Sequence, residues 1–87
     1  MTGNMLHDKS LRFAVRTVNF YNHLCDNKKE FVISKQILRS GTSIGANIRE
    51  SKNAESRSDY IHKLSIALKE ADETQYWLEV LSLSNLY

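Results

Sequence analysis

The sequence has no proline, only three glycines and a single cysteine among its 87 residues. Without proline, which ends or kinks helices, long uninterrupted helices are allowed. One cysteine excludes an internal disulfide. The longest interior run without a charged residue, SGTSIGANI, is far shorter than the ~20 apolar residues that cross a membrane. Because the start, MTGNMLHDKSLR, also lacks the apolar core of a secretory signal, we expect a cytoplasmic protein without a membrane span.

Charge is present in an ordinary amount but is unevenly distributed. Hydrophobic residues make up 41% and charged residues 25% of the chain, proportions typical of a globular domain. Residues 1–56 carry nine Lys/Arg and five Asp/Glu, a balance of +4, whereas residues 57–87 carry three and five, a balance of −2. The first two-thirds of the chain are therefore the basic part. A chain this short forms one domain, which oligomerisation would stabilise.

The spacing of apolar residues predicts an all-α fold, because they recur every three or four positions and no alternating run indicates a strand. We expect one domain over residues 1–87, an up-down antiparallel bundle with helices at about 8–25, 28–53 and 58–83. The predicted helix starts are Asp8 as an N-cap, Asn27 with Glu30 as a capping box, and Ser56 with Asp59.

Each predicted helix has one apolar face. The first face consists of Leu11, Ala14, Val15, Val18, Tyr21 and Cys25. The second consists of Ile33, Ile37, Gly41, Ile44 and Ile48. The third has the period of a helical bundle and consists of Tyr60, Leu64, Ala67, Ala71, Thr74, Leu78 and Leu81. Trp77 lies beside this third face, which indicates a second buried contact or an oligomer interface.

Gly41 and Gly45 lie inside the second helix, where each costs about 1 kcal/mol relative to alanine. Close packing against another helix would compensate for this cost. If the second and third helices are antiparallel around a turn near residues 54–57, facing residues have numbers that add up to about 112. This register pairs Gly41 with Ala71 and Gly45 with Ala67, so we expect small residues to pack on small residues there.

The same register predicts polar contacts along the second helix. Arg39 faces Glu73 and its acidic neighbours, so we expect an ion pair between the helices. Ser43, Asn47 and Glu50 form one polar stripe, which would supply hydrogen bonds at a helix contact or a subunit interface.

No pattern in the sequence indicates catalysis, a metal site or a cofactor. His7, His23 and His62 share no ligand spacing. Asp59 and His62 resemble half of one Glu-x-x-His pair, whereas a carboxylate-bridged di-metal bundle needs two such pairs. The Ser and Thr hydroxyls have no predictable base to activate them. We therefore predict no catalytic residue, no metal, no cofactor and no enzyme.

Basic residues on the first two helices are candidates for contacts to RNA or DNA phosphates. These candidates are Arg12, Arg16, Lys35, Arg39, Arg49 and Lys52. The alternative is an ordinary solvated helix surface, which the net charge of only +2 favours.

Two blocks of the sequence resemble the four helix bundle protein family, also known as the 23S rRNA-intervening-sequence protein family. The first block is LRSGTSIGANIRES, at Arg39, Gly41, Ser43, Ile44, Asn47, Ile48 and Glu50. The second is YIHKLSIALKEADETQYWLEVL, at Leu64, Ile66, Ala67, Glu70, Ala71, Glu73, Thr74, Trp77 and Leu78. The chain departs from many relatives at Gly45, where they have proline. It stops at NLY, about where the family's fourth helix would begin, so we expect that helix to be absent or truncated, either in a shortened member or in a fragment, or to be replaced by another chain.

The resemblance implies an up-down helical bundle without enzyme activity whose members assemble into rings, typically homopentamers. Some members are encoded within intervening sequences of ribosomal RNA genes. A related group contacts nucleic acid and a reverse transcriptase through a basic surface.

The leading hypothesis is a self-associating, non-enzymatic scaffold that binds RNA or DNA through its basic helices. The alternative is a structural or protein-binding oligomer with no nucleic-acid role. The identity of any partner and the number of subunits stay open at this point.

Overall fold

The computed structural model describes residues 2–85, with side chains described from Met5 onward, and this part of the chain forms three α-helices. Helix α1 spans Thr2–Asn27, α2 spans Ile33–Ser51 and α3 spans Arg57–Leu83. Helix α2 lies in the middle and packs against both α1 and α3. This up-down arrangement is elongated, with extents of 43 × 18 × 16 Å. The all-α prediction is confirmed.

The predicted starts of the first two helices are wrong. Helix α1 already begins at Thr2 instead of Asp8, because none of the residues between Thr2 and Asp8 breaks the helix. The predicted capping box at Asn27 does not form, since the Asn27 amide contacts Nδ1 of His23 at 2.8 Å. The backbone then turns at Lys29, where φ is 54°, and α2 begins only at Ile33.

The Glu30 carboxylate takes the place of an N-cap side chain for α2. It accepts hydrogen bonds from the backbone N–H groups of Val32 at 3.1 Å, Ile33 at 3.0 Å and Ser34 at 2.7 Å. Burial raises the pKa of Glu30, but these backbone hydrogen bonds outweigh it and hold the pKa below its ordinary value. The ionised carboxylate therefore stabilises the start of α2.

The predicted start of α3 is confirmed. The Ser56 hydroxyl accepts a hydrogen bond from the backbone N–H of Asp59 at 3.1 Å. The Asp59 carboxylate in turn accepts from the backbone N–H of Glu55 at 3.2 Å. This reciprocal pair resembles a capping box that is extended by one residue.

The two glycines of α2 do pack closely against another helix, but that helix is α1. A Cβ atom at Gly41 would lie 2.7 Å from Cγ2 of Thr17, and a Cβ atom at Gly45 would lie 3.3 Å from the backbone oxygen of Ser10. The predicted partners, Ala71 and Ala67, were wrong because α2 contacts two helices and the glycines lie on its α1 side. The antiparallel register pairs positions along two helices, but it does not show which side of α2 a residue lies on.

The register predicted between α2 and α3 is present. The hydroxyls of Ser40 and Thr74 lie 2.8 Å apart at the centre of this interface, and both residues are buried. Ala67 of α3 is buried as well. Small side chains therefore occupy part of this interface.

The buried face of α1 is not the predicted one. Leu11, Val15 and Val18 are 48%, 53% and 41% exposed, respectively. Ser10 and Thr17 are buried instead. The reason is the close approach at Gly41 and Gly45, which leaves room only for small side chains where α1 touches α2.

The largest buried side chains meet at one end of the bundle, where each helix contributes one. They are Leu24 of α1, Ile37 of α2 and Leu81 of α3. Phe20, Ile33 and Trp77 pack around them. Trp77 therefore makes the buried contact that was one of its two predicted roles.

Among the residues whose side chains the structure describes, six Ser and Thr residues are buried: Ser10, Thr17, Ser34, Ser40, Ser51 and Thr74. Each hydroxyl oxygen lies 2.6 to 2.9 Å from a backbone carbonyl oxygen three or four residues earlier in the chain. Each hydroxyl therefore has a partner close to it in the chain, and contacts between helices are added where Ser40 meets Thr74 and where Ser34 meets Cys25.

Candidate functional site

A mainly apolar groove runs between α1 and α3, with α2 as its floor. It consists of two hollows of about 280 and 370 Å³ that share Phe13, Thr74 and Leu78. We call it the α1–α3 groove. Its apolar lining comes from all three helices and comprises Leu6, Phe13, Phe20, Ile37, Ile44, Ile48, Ala71 and Leu78.

The helical period places these side chains in the groove. Leu6, Phe13 and Phe20 are seven residues apart, so they lie on one face of α1. Leu6, Phe13 and Leu78 are exposed although they are large and apolar. This explains why Leu78, predicted on the buried face of α3, is not buried.

Basic side chains border the groove on its α1 side. Lys9 lines one hollow and Arg16 lines the other. Gln75 borders the groove from α3. The groove therefore combines an apolar floor with one positively charged edge.

A separate hollow of about 320 Å³ lies outside the groove, between α1 and α2, and Arg49 lines it. The guanidinium of Arg49 contacts Nε2 of His7, at 3.1 Å from Nε and 3.0 Å from one Nη atom. Ser10 borders both this hollow and the groove. Around the axis of α1, the residues that line this hollow lie on one side of Ser10 and the residues that line the groove lie on the other side. Arg49, in the hollow, and Arg16, at the groove, are therefore on different surfaces.

Arg39 is engaged by acidic side chains of α3, so the predicted ion pair is present. Its guanidinium contacts the carboxylate of Glu73 and lies 3.4 Å from that of Glu70. The indole N–H of Trp77 donates to Glu73 at 3.0 Å. The Trp77 hydrogen bond lowers the pKa of Glu73, and Arg39 lowers it further against the opposing effect of burial.

The predicted polar stripe of α2 divides into two kinds of contact. Ser43 donates to the backbone oxygen of Arg39 at 2.7 Å, and Asn47 donates to that of Ser43 at 2.9 Å, both within α2. Glu50 instead accepts from the ammonium of Lys63 on α3 at 2.8 Å. This hydrogen bond and the Glu50 charge raise the pKa of Lys63.

The remaining basic candidates, Arg12, Lys35 and Lys52, are exposed. Lys35 lies near the start of α2 and Lys52 directly follows its end, which puts them about 25 Å apart along the helix axis. The six candidates are thus spread over several surfaces instead of forming one patch.

Residues 2–85 contain no helix that is long and apolar enough to cross a membrane. In the same part of the chain, no three His, Cys, Asp or Glu side chains are grouped so that they could hold a metal ion. Asp59, part of the near match to a metal motif, serves in the cap of α3.

Comparison with known proteins supports the architecture. The family model described as 23S rRNA-intervening sequence protein matches residues 4–87. The chain belongs to this family. A crystal structure at 1.70 Å resolution of a protein with unknown function from the S23 ribosomal protein family of Bacteroides thetaiotaomicron is 63% identical, with a TM-score of 0.97. The alignment covers 100% of this chain and 78% of that chain. No curated protein matches the chain.

In this member of the 23S rRNA-intervening sequence protein family, sequence reasoning missed the contact between His7 and Arg49. A signal for it existed. The antiparallel register that was applied to α2 and α3 also applies to α1 and α2, and around the first turn it places His7 opposite Arg49. No sequence pattern of this kind indicates the α1–α3 groove, because the existence of the groove depends on the distance between α1 and α3.

Proposed function

We propose that this protein is a non-catalytic cytoplasmic scaffold that self-associates by covering the α1–α3 groove and binds RNA or DNA through basic side chains of α1 and α2. The observation that carries the proposal is the exposed apolar lining of the groove, at Leu6, Phe13 and Leu78. A contiguous apolar surface of this kind is typical of a protein interface.

Self-association is the part of the proposal with the most support. A domain of 87 residues buries only about 60% of the surface of its unfolded chain. A second copy that covers the groove would bury the apolar side chains left exposed in the single chain. The family resemblance makes a ring, typically a pentamer, the expected form of the assembly.

Nucleic-acid binding is supported by the charge of α1 and α2. Residues 1–56 carry nine basic and five acidic residues, and Arg16 and Arg49 are not paired with carboxylates within 4 Å in the described part of the chain. Arg39 is a poor candidate for a phosphate contact, since Glu70 and Glu73 already neutralise it. An assembly would repeat the remaining basic side chains around its surface and strengthen binding.

A structural or protein-binding oligomer without a nucleic-acid role is the second candidate. The observation that favours it is the separation of Arg16 and Arg49 on different surfaces. A protein that follows a phosphate backbone generally presents its basic side chains along one surface.

Light scattering coupled to size-exclusion chromatography tests the proposal, with and without a mixed RNA sample, at low and moderate salt. The groove variant is Leu78→Glu, and Leu83→Glu is the matched control on the same helix, because Leu83 is exposed outside the groove. We expect an oligomer that Leu78→Glu dissociates, that Leu83→Glu leaves intact, and that binds RNA only at low salt.

The other outcomes separate the two candidates. An oligomer that ignores RNA at every salt concentration would favour the structural or protein-binding role. A wild-type protein that is a stable monomer would refute the claim that the groove drives association.

A further inference from the structure

The hollow between α1 and α2 brings together two nitrogen-bearing side chains from different helices. His7 comes from α1 and Arg49 from α2, and the hollow of about 320 Å³ is otherwise lined partly by Ala14, Gly45 and Ala46. These small residues leave space beside the two functional groups. We call it the His7–Arg49 hollow.

The contact between the two side chains fixes which of them donates. Nε and one Nη atom of Arg49 lie 3.1 and 3.0 Å from Nε2 of His7. Both Arg49 groups can only donate hydrogen bonds, so Nε2 of His7 accepts in this contact. Nδ1 lies 3.7 Å from the Asp8 carboxylate.

The positive charge of Arg49 is not balanced by a carboxylate. In residues 2–85 it forms no ion pair within 4 Å, whereas Arg39 on the same helix has two. Glu50 borders the hollow, but its carboxylate is bonded to Lys63 at 2.8 Å. Within the described part of the chain, the hollow therefore contains an arginine that contacts an imidazole and no carboxylate.

We propose that the His7–Arg49 hollow binds a phosphate group, and that His7 takes up a proton when the group binds. A protonated imidazole donates from both ring nitrogens, so it can no longer accept from Arg49. A phosphate between the two side chains would accept from Nε2 of His7 and from the guanidinium, which binds such oxygens in a fork geometry. The anion would also separate two like charges.

This arrangement makes binding depend on pH. Histidine generally exchanges its proton between about pH 5 and 8. In the described part of the chain, the charged groups beside His7 are Asp8 on its own helix and, on α2, Arg49 and the Lys63-bound Glu50. Carboxylates generally stay ionised over this pH range, so the pH dependence of anion binding would come from the histidine. Affinity for the anion should therefore rise as the pH falls.

The test for the site is a titration followed by NMR of the histidine rings. Sulfate is the probe for the pH comparison because its charge is constant in this range, whereas phosphate changes its own charge. We expect sulfate to shift the His7 ring signals and to bind about tenfold more tightly at pH 5.5 than at pH 7.5. Signals from His23 and His62, outside the hollow, serve as internal references.

Two variants remove the site while a third controls for charge. Arg49→Gln and His7→Gln should each weaken sulfate binding at pH 5.5 by at least roughly tenfold. Arg57→Gln, which removes an exposed charge at the start of α3, should leave it unchanged. Affinity that is independent of pH, or equal in Arg49→Gln and wild type, would overturn the proposal. Circular dichroism confirms that each variant is folded.

A second titration with inorganic phosphate and with a single-stranded RNA oligonucleotide identifies the source of the phosphate group. Only this part rests on the proposed function. RNA binding that Arg49→Gln weakens would assign the hollow to a nucleic-acid backbone. Phosphate binding without RNA binding would keep the site and refute the nucleic-acid role. RNA binding with no response of His7 to phosphate, sulfate or RNA would refute the site and leave the proposed function standing.

Discussion

Thr17 of α1 occupies the space that a side chain at Gly41 of α2 would need. A Cβ atom on Gly41 would lie 2.7 Å from Cγ2 and 2.9 Å from Oγ1 of Thr17. No ordinary carbon contact is that short. The glycine is therefore required by the partner helix, although it weakens its own helix.

Gly41→Ala should destabilise the fold in spite of the higher helix propensity of alanine. The gain of about 1 kcal/mol from propensity is opposed by overpacking, which typically costs about 1–3 kcal/mol. Urea denaturation of the variant measures the net loss. In Gly41→Ala with Thr17→Ala the clashing atoms are gone, so the double variant should be more stable than Gly41→Ala alone. Additive effects of the two substitutions would contradict the steric explanation.

Leu81→Ala should be among the most damaging single substitutions, because Leu81 is 2% exposed and meets Leu24 and Ile37 where all three helices converge. Removing such a side chain typically costs about 2–5 kcal/mol. Leu83→Ala is the matched control, since Leu83 is 84% exposed, and it should change stability by less than about 0.5 kcal/mol. Similar melting temperatures for the two variants would place the core elsewhere.

Ser56→Ala should destabilise α3 by about 1 kcal/mol, the usual effect of losing an N-cap side chain. The loss follows from the hydrogen bond that Ser56 accepts from the Asp59 N–H at 3.1 Å. Ser65→Ala, at an exposed position inside the same helix, is the control and should be neutral or slightly stabilising. Thermal denaturation followed by circular dichroism at 222 nm compares them. Equal melting temperatures would exclude a capping role.

Glu30 should make stability depend on pH in the acid range. Its pKa is below the ordinary value in the folded protein, so the folded state holds the carboxylate ionised when the unfolded state has begun to protonate. The stabilisation is present above the pKa of an unfolded glutamate, about 4.3, and is lost as the pH falls through the lower pKa of the folded state.

The variant Glu30→Gln tests this directly. It should lower stability at pH 7. Between about pH 5 and 3 the stability of the variant should fall less than that of the wild type, because the uncharged amide does not titrate. Urea denaturation at a series of pH values measures both effects. A pH dependence identical to that of the wild type would show that other carboxylates account for it.

Local signals predicted part of the fold well. The start of α3 at Ser56 and the register of α2 against α3 follow from short-range spacing and from helix geometry. The predicted starts of α1 and α2 were wrong because Asp8 and Asn27 are residue types that often cap helices but do not do so here. The cap of α2 comes instead from Glu30, after the turn at Lys29.

The side of a helix that each neighbour covers was harder to predict. Periodicity identifies an apolar face, but it does not show that Gly41 and Gly45 lie against α1. The close approach there buries Ser10 and Thr17 and leaves Leu11, Val15 and Val18 exposed, which reverses the usual expectation. A site that depends on the distance between helices, such as the α1–α3 groove, is accessible only from the three-dimensional structure.

The hydroxyls at the helix interfaces have a consequence for evolution. The buried Ser and Thr side chains bond to carbonyl oxygens of their own helix or its entry turn, so neighbouring helices supply no matching polar group except where Ser40 meets Thr74 and Ser34 meets Cys25. Exchange of such a residue for alanine in a homologue would leave no unsatisfied partner across the interface. Shape thus constrains these positions more than polarity does, and Ser, Thr and Ala should interchange there more freely than any of them with a larger residue.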